Sequence, residues 1–209
     1  MPLSPRDGSS LRAIVPMPRG GACLMLGFPG LETGIDGSGY IDPEGLAASF
    51  ADLAAERVEL FLVLPEEDEL PPGAFALLRA QLAEHGIEGL FLPVTDYQAP
   101  GPDLLTLWPD LGSRLHRIMT GGGRIAVCCQ YGAGRSGLMA AWLLIEQGMT
   151  PEAAVRLVRD HFAEAVESEA QLAFLYARAL SGAPDQGGQG GQGGQADPAG
   201  SGASGQPAD

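Results

Sequence analysis

One short stretch limits what this chain can become: Val127-Cys128-Cys129-Gln130-Tyr131-Gly132-Ala133-Gly134-Arg135-Ser136-Gly137. An apolar run from Arg124 to Cys128 leads in with strand character, and Leu138 to Gln147 leads out with helical character. A Gly-containing loop that ends at a helix N-terminus turns several backbone N–H groups towards one point, which makes a nest for a tetrahedral dianion. A cysteine at the mouth of such a nest lies in the same positive field, which favours thiolate. Arg135 adds a planar fork that can hold two phosphate oxygens at once. Gln130, Tyr131, Gly132, Ala133, Gly134 and Arg135 would therefore line a bound phosphate, and Cys129 would aim sulfur at phosphorus. The plainer reading of Cys129 is a small buried hydrophobe. It leaves Arg135 and the two intervening glycines unexplained. Ser136 has two readings: a hydroxyl that bonds the sulfur and helps it leave, or an ordinary residue of the first helical turn.

The rest of the chain alternates strands and helices. Leu11 to Val15 and Ala22 to Gly27 read as short strands, and Gly30 to Gly39 as loop. Asp42-Pro43 starts a helix, with Asp as N-cap and Pro in the first turn. Val58 to Leu64 is almost wholly apolar, the pattern of a strand covered on both faces. Phe75 to His85 and Asp103 to Met119 read as helices, with Ile87 to Leu92 as a strand between them. Thr150-Pro151-Glu152 opens the next helix. Ser168-Glu169-Ala170-Gln171 fits a capping box and opens the last. The fold class is thus α/β: a central, mostly parallel sheet flanked by helices, with the phosphate loop between a central strand and a helix. Residues 1–10 read as a flexible N-terminus and 11–182 as one domain. From 183 to 209 the composition collapses to a Gly/Gln-rich tail, expected to be disordered.

Cys-x5-Arg-Ser, written here C-Q-Y-G-A-G-R-S-G, resembles the phosphate loop of the cysteine-dependent protein phosphatases. The internal G-x-G-R-S-G is most similar to the dual-specificity branch, and the order of helices after it to the kinase-associated phosphatases. The resemblance spans about residues 20–180. It implies hydrolysis of phosphomonoesters on phosphoproteins, at phosphotyrosine and also phosphoserine or phosphothreonine, through a phosphocysteine intermediate. Thiolate would attack phosphorus and expel the alcohol or phenol, and water would then release phosphate. Arg135 and the loop N–H groups would stabilise charge on the equatorial oxygens. One departure stands out: the family carries His immediately before the nucleophile, and this chain has Cys128. That keeps a second reading open, a phosphate-binding pseudophosphatase that recognises phosphorylated partners with little turnover. A third, redox chemistry at the vicinal cysteines, would need a strained adjacent-residue disulfide.

The leaving group needs a proton. The resemblance places the general acid on a loop after a strand, which carries that role to Asp96 in the Pro-rich segment after Leu92. Trp108-Pro109-Asp110 spells the family's acid motif but falls inside the long amphipathic helix, so Asp96 is preferred to Asp110. Pro65-Glu66-Glu67-Asp68-Glu69-Leu70 reads first as a solvated acidic turn. In the family, the corresponding loop lies beside the active site. Glu167 and Gln171 fall where relatives position the hydrolytic water, but capping explains Gln171, and both stay outside the catalytic set.

Charge and composition narrow the partners. A net charge of −14 disfavours nucleic acid and anionic membranes. Gln130, Tyr131 and Ala133 supply no lysine for a phosphoinositide or other polyanion. Three cysteines form no disulfide framework, no apolar run is long enough to span a bilayer, and the N-terminus has no signal pattern. These features point to the cytoplasm. The chemistry calls for no metal or other cofactor. His85, His116 and His161 have no partner at ligand spacing, and the loop lacks the Gly-Lys-Ser/Thr ending of a nucleotide-binding P-loop.

Overall fold

The structure is a computed structural model that describes residues 6–182. Residues 1–5 and the expected tail from 183 to 209 lie outside the described residues. Strands β1 (Leu11–Pro16), β2 (Ala22–Leu26), β5 (Val58–Val63), β6 (Glu88–Phe91) and β7 (Arg124–Cys128) form one sheet in the order β1-β2-β7-β5-β6. β1 pairs antiparallel to β2, and every other pair is parallel. β7, the strand that leads into the phosphate loop, is therefore the middle strand. β3 (Leu31–Thr33) and β4 (Gly39–Ile41) form a small separate hairpin. Gly30 to Gly39 is expected as loop, since three-residue strands are too short to show an alternation.

Alternation along the strands divides the core. Cys23, Met25, Leu60, Leu62, Ile125, Val127 and Cys129 join the apolar layer under α3 (Pro102–Thr120), α4 (Gly134–Glu146), α5 (Pro151–His161) and α6 (Glu169–Gly182). Leu24, Leu26, Phe61, Val63, Ala126 and Cys128 join the layer under α1 (Pro43–Ala55) and α2 (Ala74–Glu84). Burial on both faces explains why β7 is apolar from Ile125 to Cys128, since fully burying a large aliphatic side chain contributes roughly 1.5–3 kcal/mol. The vicinal cysteines thus face opposite sides of the sheet.

Helix starts follow the expected caps. The Asp42 side chain accepts from Gly45 N–H at 2.6 Å, and Thr150 from Ala153 N–H at 3.3 Å. Ser168 Oγ accepts from Gln171 N–H at 3.1 Å while Gln171 Oε1 accepts from Ser168 N–H at 3.4 Å. α3 runs through Pro109. Residues 6–10, expected to fray, are tied down instead. Arg6 N–H donates to Asp52 at 3.1 Å, and Ser10 N–H to Ser49 Oγ at 2.9 Å. Polar anchors of this kind leave no period in a sequence. Among the described residues, no helix is long and apolar enough to cross a membrane.

Candidate active site

The loop after β7 lies past the C-terminal ends of the parallel strands, where open α/β sheets bind ligands. Cys129, 3% exposed, follows the last residue of β7. Its N–H donates to Leu26 O at 3.3 Å, and its Sγ accepts the Gly132 N–H at 3.1 Å. Gly132 can turn that N–H back onto the sulfur because its φ is 100°, and a Cβ there would come 2.5 Å from Gly27 N. The N–H groups of Gln130, Tyr131 and Ala133 donate to no backbone carbonyl among the described residues. Gly134 is the first residue of α4, so the positive end of that helix adds to the nest.

Arg135 is 1% exposed. Nη1 and Nη2 donate to the two carboxylate oxygens of Glu69, both at 2.6 Å, and Nη1 also donates to Val94 O at 2.9 Å. Asp96 Oδ1 lies 3.2 Å from Nη2. Nε is buried without a partner. Burial opposes the charge, but the Glu69 hydrogen bond and the facing Cys129 and Asp96 outweigh it and hold the guanidinium above its ordinary pKa. The acidic segment 66–69 is therefore only in part a solvated turn: Glu67 and Asp68 are exposed, and Glu69 is not. Its single 3-10 turn, Glu67–Glu69, delivers Glu69 into the site. Gln130 Nε2 donates to Glu69 O at 3.3 Å, and Thr95 Oγ1 to Glu66 Oε1 at 3.2 Å.

Asp96 reaches the site from the loop after β6, with its side chain 43% exposed. Its carboxylate also accepts the N–H of Tyr97, whose φ of 57° is unusual for a non-glycine residue. Ser168 Oγ donates to Tyr97 O, which joins this loop to the start of α6. Asp110 is exposed on α3, and the neighbouring Trp108 stacks on Trp142 with ring centroids 3.6 Å apart. The Trp-Pro-Asp letters belong to helix packing. Ser136 is fully buried, and its Oγ donates to Leu26 O at 3.2 Å. Tyr131 stands on the rim. Its carbonyl accepts Arg12 Nε at 2.9 Å, and the Arg12 guanidinium lies 4.9 Å from its ring centroid. The hydrogen bond to Glu164 is the main cause that raises the Tyr131 hydroxyl pKa.

Two acids beside the loop, Glu69 and Glu167, lie outside the site residues expected from the sequence. Glu69 followed an apolar interior strand, and the C-terminal end of such a strand was the available signal. Glu167 accepts from the Gly134 N–H. Gln171, fully buried, caps α6 as expected, yet its Nε2 is left without a partner. A Cβ on Gly134 would lie 3.1 Å from that Nε2.

No protein-family model matches the sequence, and no curated protein matches it. Solved structures do. The kinase associated phosphatase KAP, with its catalytic-site cysteine replaced by serine, superposes with a TM-score of 0.66 at 18% identity, over 81% of this chain and 94% of that one. Tk-PTP in its active form gives 0.57 at 21% identity, over 82% and 97%. Human DUSP28 gives 0.54 at 17%, over 86% and 96%. The fold is the α/β fold of these phosphatases. In this chain Cys129 directly follows the middle strand, and Arg135 is the second residue of α4.

Proposed function

We propose that this protein is a phosphoric monoester hydrolase of the protein-tyrosine or dual-specificity type, acting on phosphoproteins through a cysteinyl phosphate. The observation that carries this reading is Arg135. It is buried, held in plane by Glu69, and its one unpaired donor, Nε, belongs to the same loop as a sulfur already accepting a backbone N–H. A phosphoryl group supplies the missing acceptor. Cys129 Sγ forms the S–P bond as the P–O ester bond breaks, and Asp96 gives its proton to the leaving oxygen. Water then attacks phosphorus, Asp96 takes up its proton, and the S–P bond breaks. The residues Gln130 to Arg135 hold the oxygens. Ser136, bonded to Leu26 O in the free protein, would turn its hydroxyl to the sulfur as it leaves.

The rim supports a phosphoprotein rather than a polyanion. Glu66, Glu69, Asp96, Glu164 and Glu167 surround a loop that has no lysine. The described cysteines are all free, in keeping with a reducing cytoplasm. The phosphatase unit is read as 11–182.

Hydrolysis of p-nitrophenyl phosphate in the presence of EDTA tests the proposal. Turnover by the wild type is expected, as is its loss in Cys129→Ser with vanadate binding retained. Activity of that variant within about tenfold of wild type, roughly 1.4 kcal/mol of barrier, would overturn the covalent mechanism. Vanadate binding by a wild type that does not turn over would instead establish the pseudophosphatase. That reading draws on Cys128, a weak hydrogen-bonding group under the loop.

A further inference from the structure

One N–H of the phosphate loop is already in use. Gly134, at the head of α4, donates to the Glu167 carboxylate. A Cβ on Gly134 would overlap Glu167 Oε2, so the carboxylate lies against the loop backbone itself. The approach is built in. Glu167 N–H donates to Gln171 Oε1 at 2.9 Å, and Val166 before it holds a φ of 59°. The Val166 carbonyl accepts Arg159 Nη2 at 2.8 Å. The charged groups facing Glu167 are Asp96 from the loop after β6, Glu164 from its own segment and Arg135 from α4. Burial, and then the Asp96 charge, push its carboxyl above the usual carboxylate range, while the Gly134 N–H and Arg135 pull the other way.

We propose that Glu167 is a titratable competitor for the phosphate loop: ionised, it holds the Gly134 N–H against an incoming dianion, and protonated, it releases that N–H and donates to the bound anion. This rests on reading the loop as a phosphate site. A dianion and a carboxylate on one nest repel, so the bound anion raises the Glu167 pKa further. Binding then takes up a proton. By linkage, dianion affinity is fully present below the free-state pKa of Glu167. It falls as pH rises above that value, by roughly tenfold per unit, until the pKa of the complex is passed.

The test uses sulfate, which stays a dianion across the range, and a Cys129→Ser background, which removes the sulfur from both arms. Sulfate affinity is measured by calorimetry from about pH 5 to about pH 8, with and without Glu167→Gln. Every group other than Glu167 is common to both arms. The Glu167→Gln arm should lose the proton-coupled slope, bind roughly tenfold tighter at the neutral end, and converge with its parent at the acid end. Glu167→Ala should show the same loss of slope, and it stands in if the glutamine variant does not fold. Parallel slopes, or weaker binding at every pH, would overturn the proposal and leave Glu167 a structural support. No sulfate binding in either arm, together with no hydrolysis of p-nitrophenyl phosphate by the wild type, would overturn the phosphate-site reading beneath it.

Discussion

Glu69 and Arg135 meet fork to fork across 66 positions of sequence, with two hydrogen bonds of 2.6 Å. Arg135 is 1% exposed and the Glu69 side chain 15%, so this pair lies almost wholly out of water. A guanidinium at that depth is tolerable only with a well-placed partner. The fork also fixes the plane of the guanidinium, so Nε is left as its one free donor. Glu69 is thus a positioning residue for Arg135.

Breaking that fork should cost both stability and rate. Glu69→Gln keeps the shape but leaves the Arg135 charge uncompensated, and removing one partner of a buried pair costs about 3–5 kcal/mol. We expect a lower midpoint in urea unfolding and a kcat/KM on p-nitrophenyl phosphate reduced at least tenfold. A stable variant with wild-type kinetics would show that Val94 O and Asp96 alone hold Arg135.

The acid assignment separates by leaving group. Asp96→Asn should slow aryl phosphates with poor leaving groups far more than p-nitrophenyl phosphate, since general acid help is typically ~10²–10⁴-fold. Asp110→Asn should leave both substrates untouched, because Asp110 is exposed on α3. Steady-state rates over a series of leaving-group pKa values decide it. The reverse pattern would move the acid to α3.

The sequence was most informative where local chemistry and chain order agree. The β7–loop–α4 unit is written in consecutive letters, so Cys129, Arg135 and the glycines between them could be read directly. Asp42, Thr150 and Ser168 announced their helices because caps act over three residues. Glu69 was not legible in the same way. Its partner is distant in sequence, and an acidic run looks the same whether it meets water or a buried arginine. The Arg6–Asp52 contact and the Glu167–Gly134 contact have the same character. Trp108-Pro109-Asp110 is the opposite case: the letters of a motif fall within a helical period, which sets them aside, and packing uses them for a Trp108–Trp142 stack.

Gly132 tests the nest directly. Gly132→Ala places a Cβ 2.5 Å from Gly27 N and 2.6 Å from Leu26 C, at a φ of 100°. Backbone cannot yield as a side chain tip does, so the loop must shift and the N–H donated to Cys129 Sγ is lost. Such strain costs of order 1–3 kcal/mol. Vanadate affinity should fall along with turnover in the folded variant. Retained affinity would mean that this N–H is dispensable for anion binding.

Cys128 gives the last prediction. It is fully buried, in the same apolar layer as Leu26, Phe28, Phe61 and Val63, on the face of the sheet away from Cys129. Burial, and then the neighbouring Cys129, push its thiol well above the usual range, so it stays neutral. In this setting the histidine usual among relatives meets two costs. Imidazole is larger than a thiol, and overpacking costs about 1–3 kcal/mol. Its ring N–H also needs an acceptor, or the site loses about 1–3 kcal/mol more. Cys128→His should therefore lower the urea midpoint with an unchanged m-value. If the ring finds a carbonyl of the loop, it should stiffen the nest, and iodoacetamide should alkylate Cys129 faster at fixed neutral pH. A variant of wild-type stability would show that the layer beneath the loop can yield around an imidazole. A destabilised variant with an unchanged alkylation rate would show that Gly132, α4 and Arg135 support the sulfur without help from position 128.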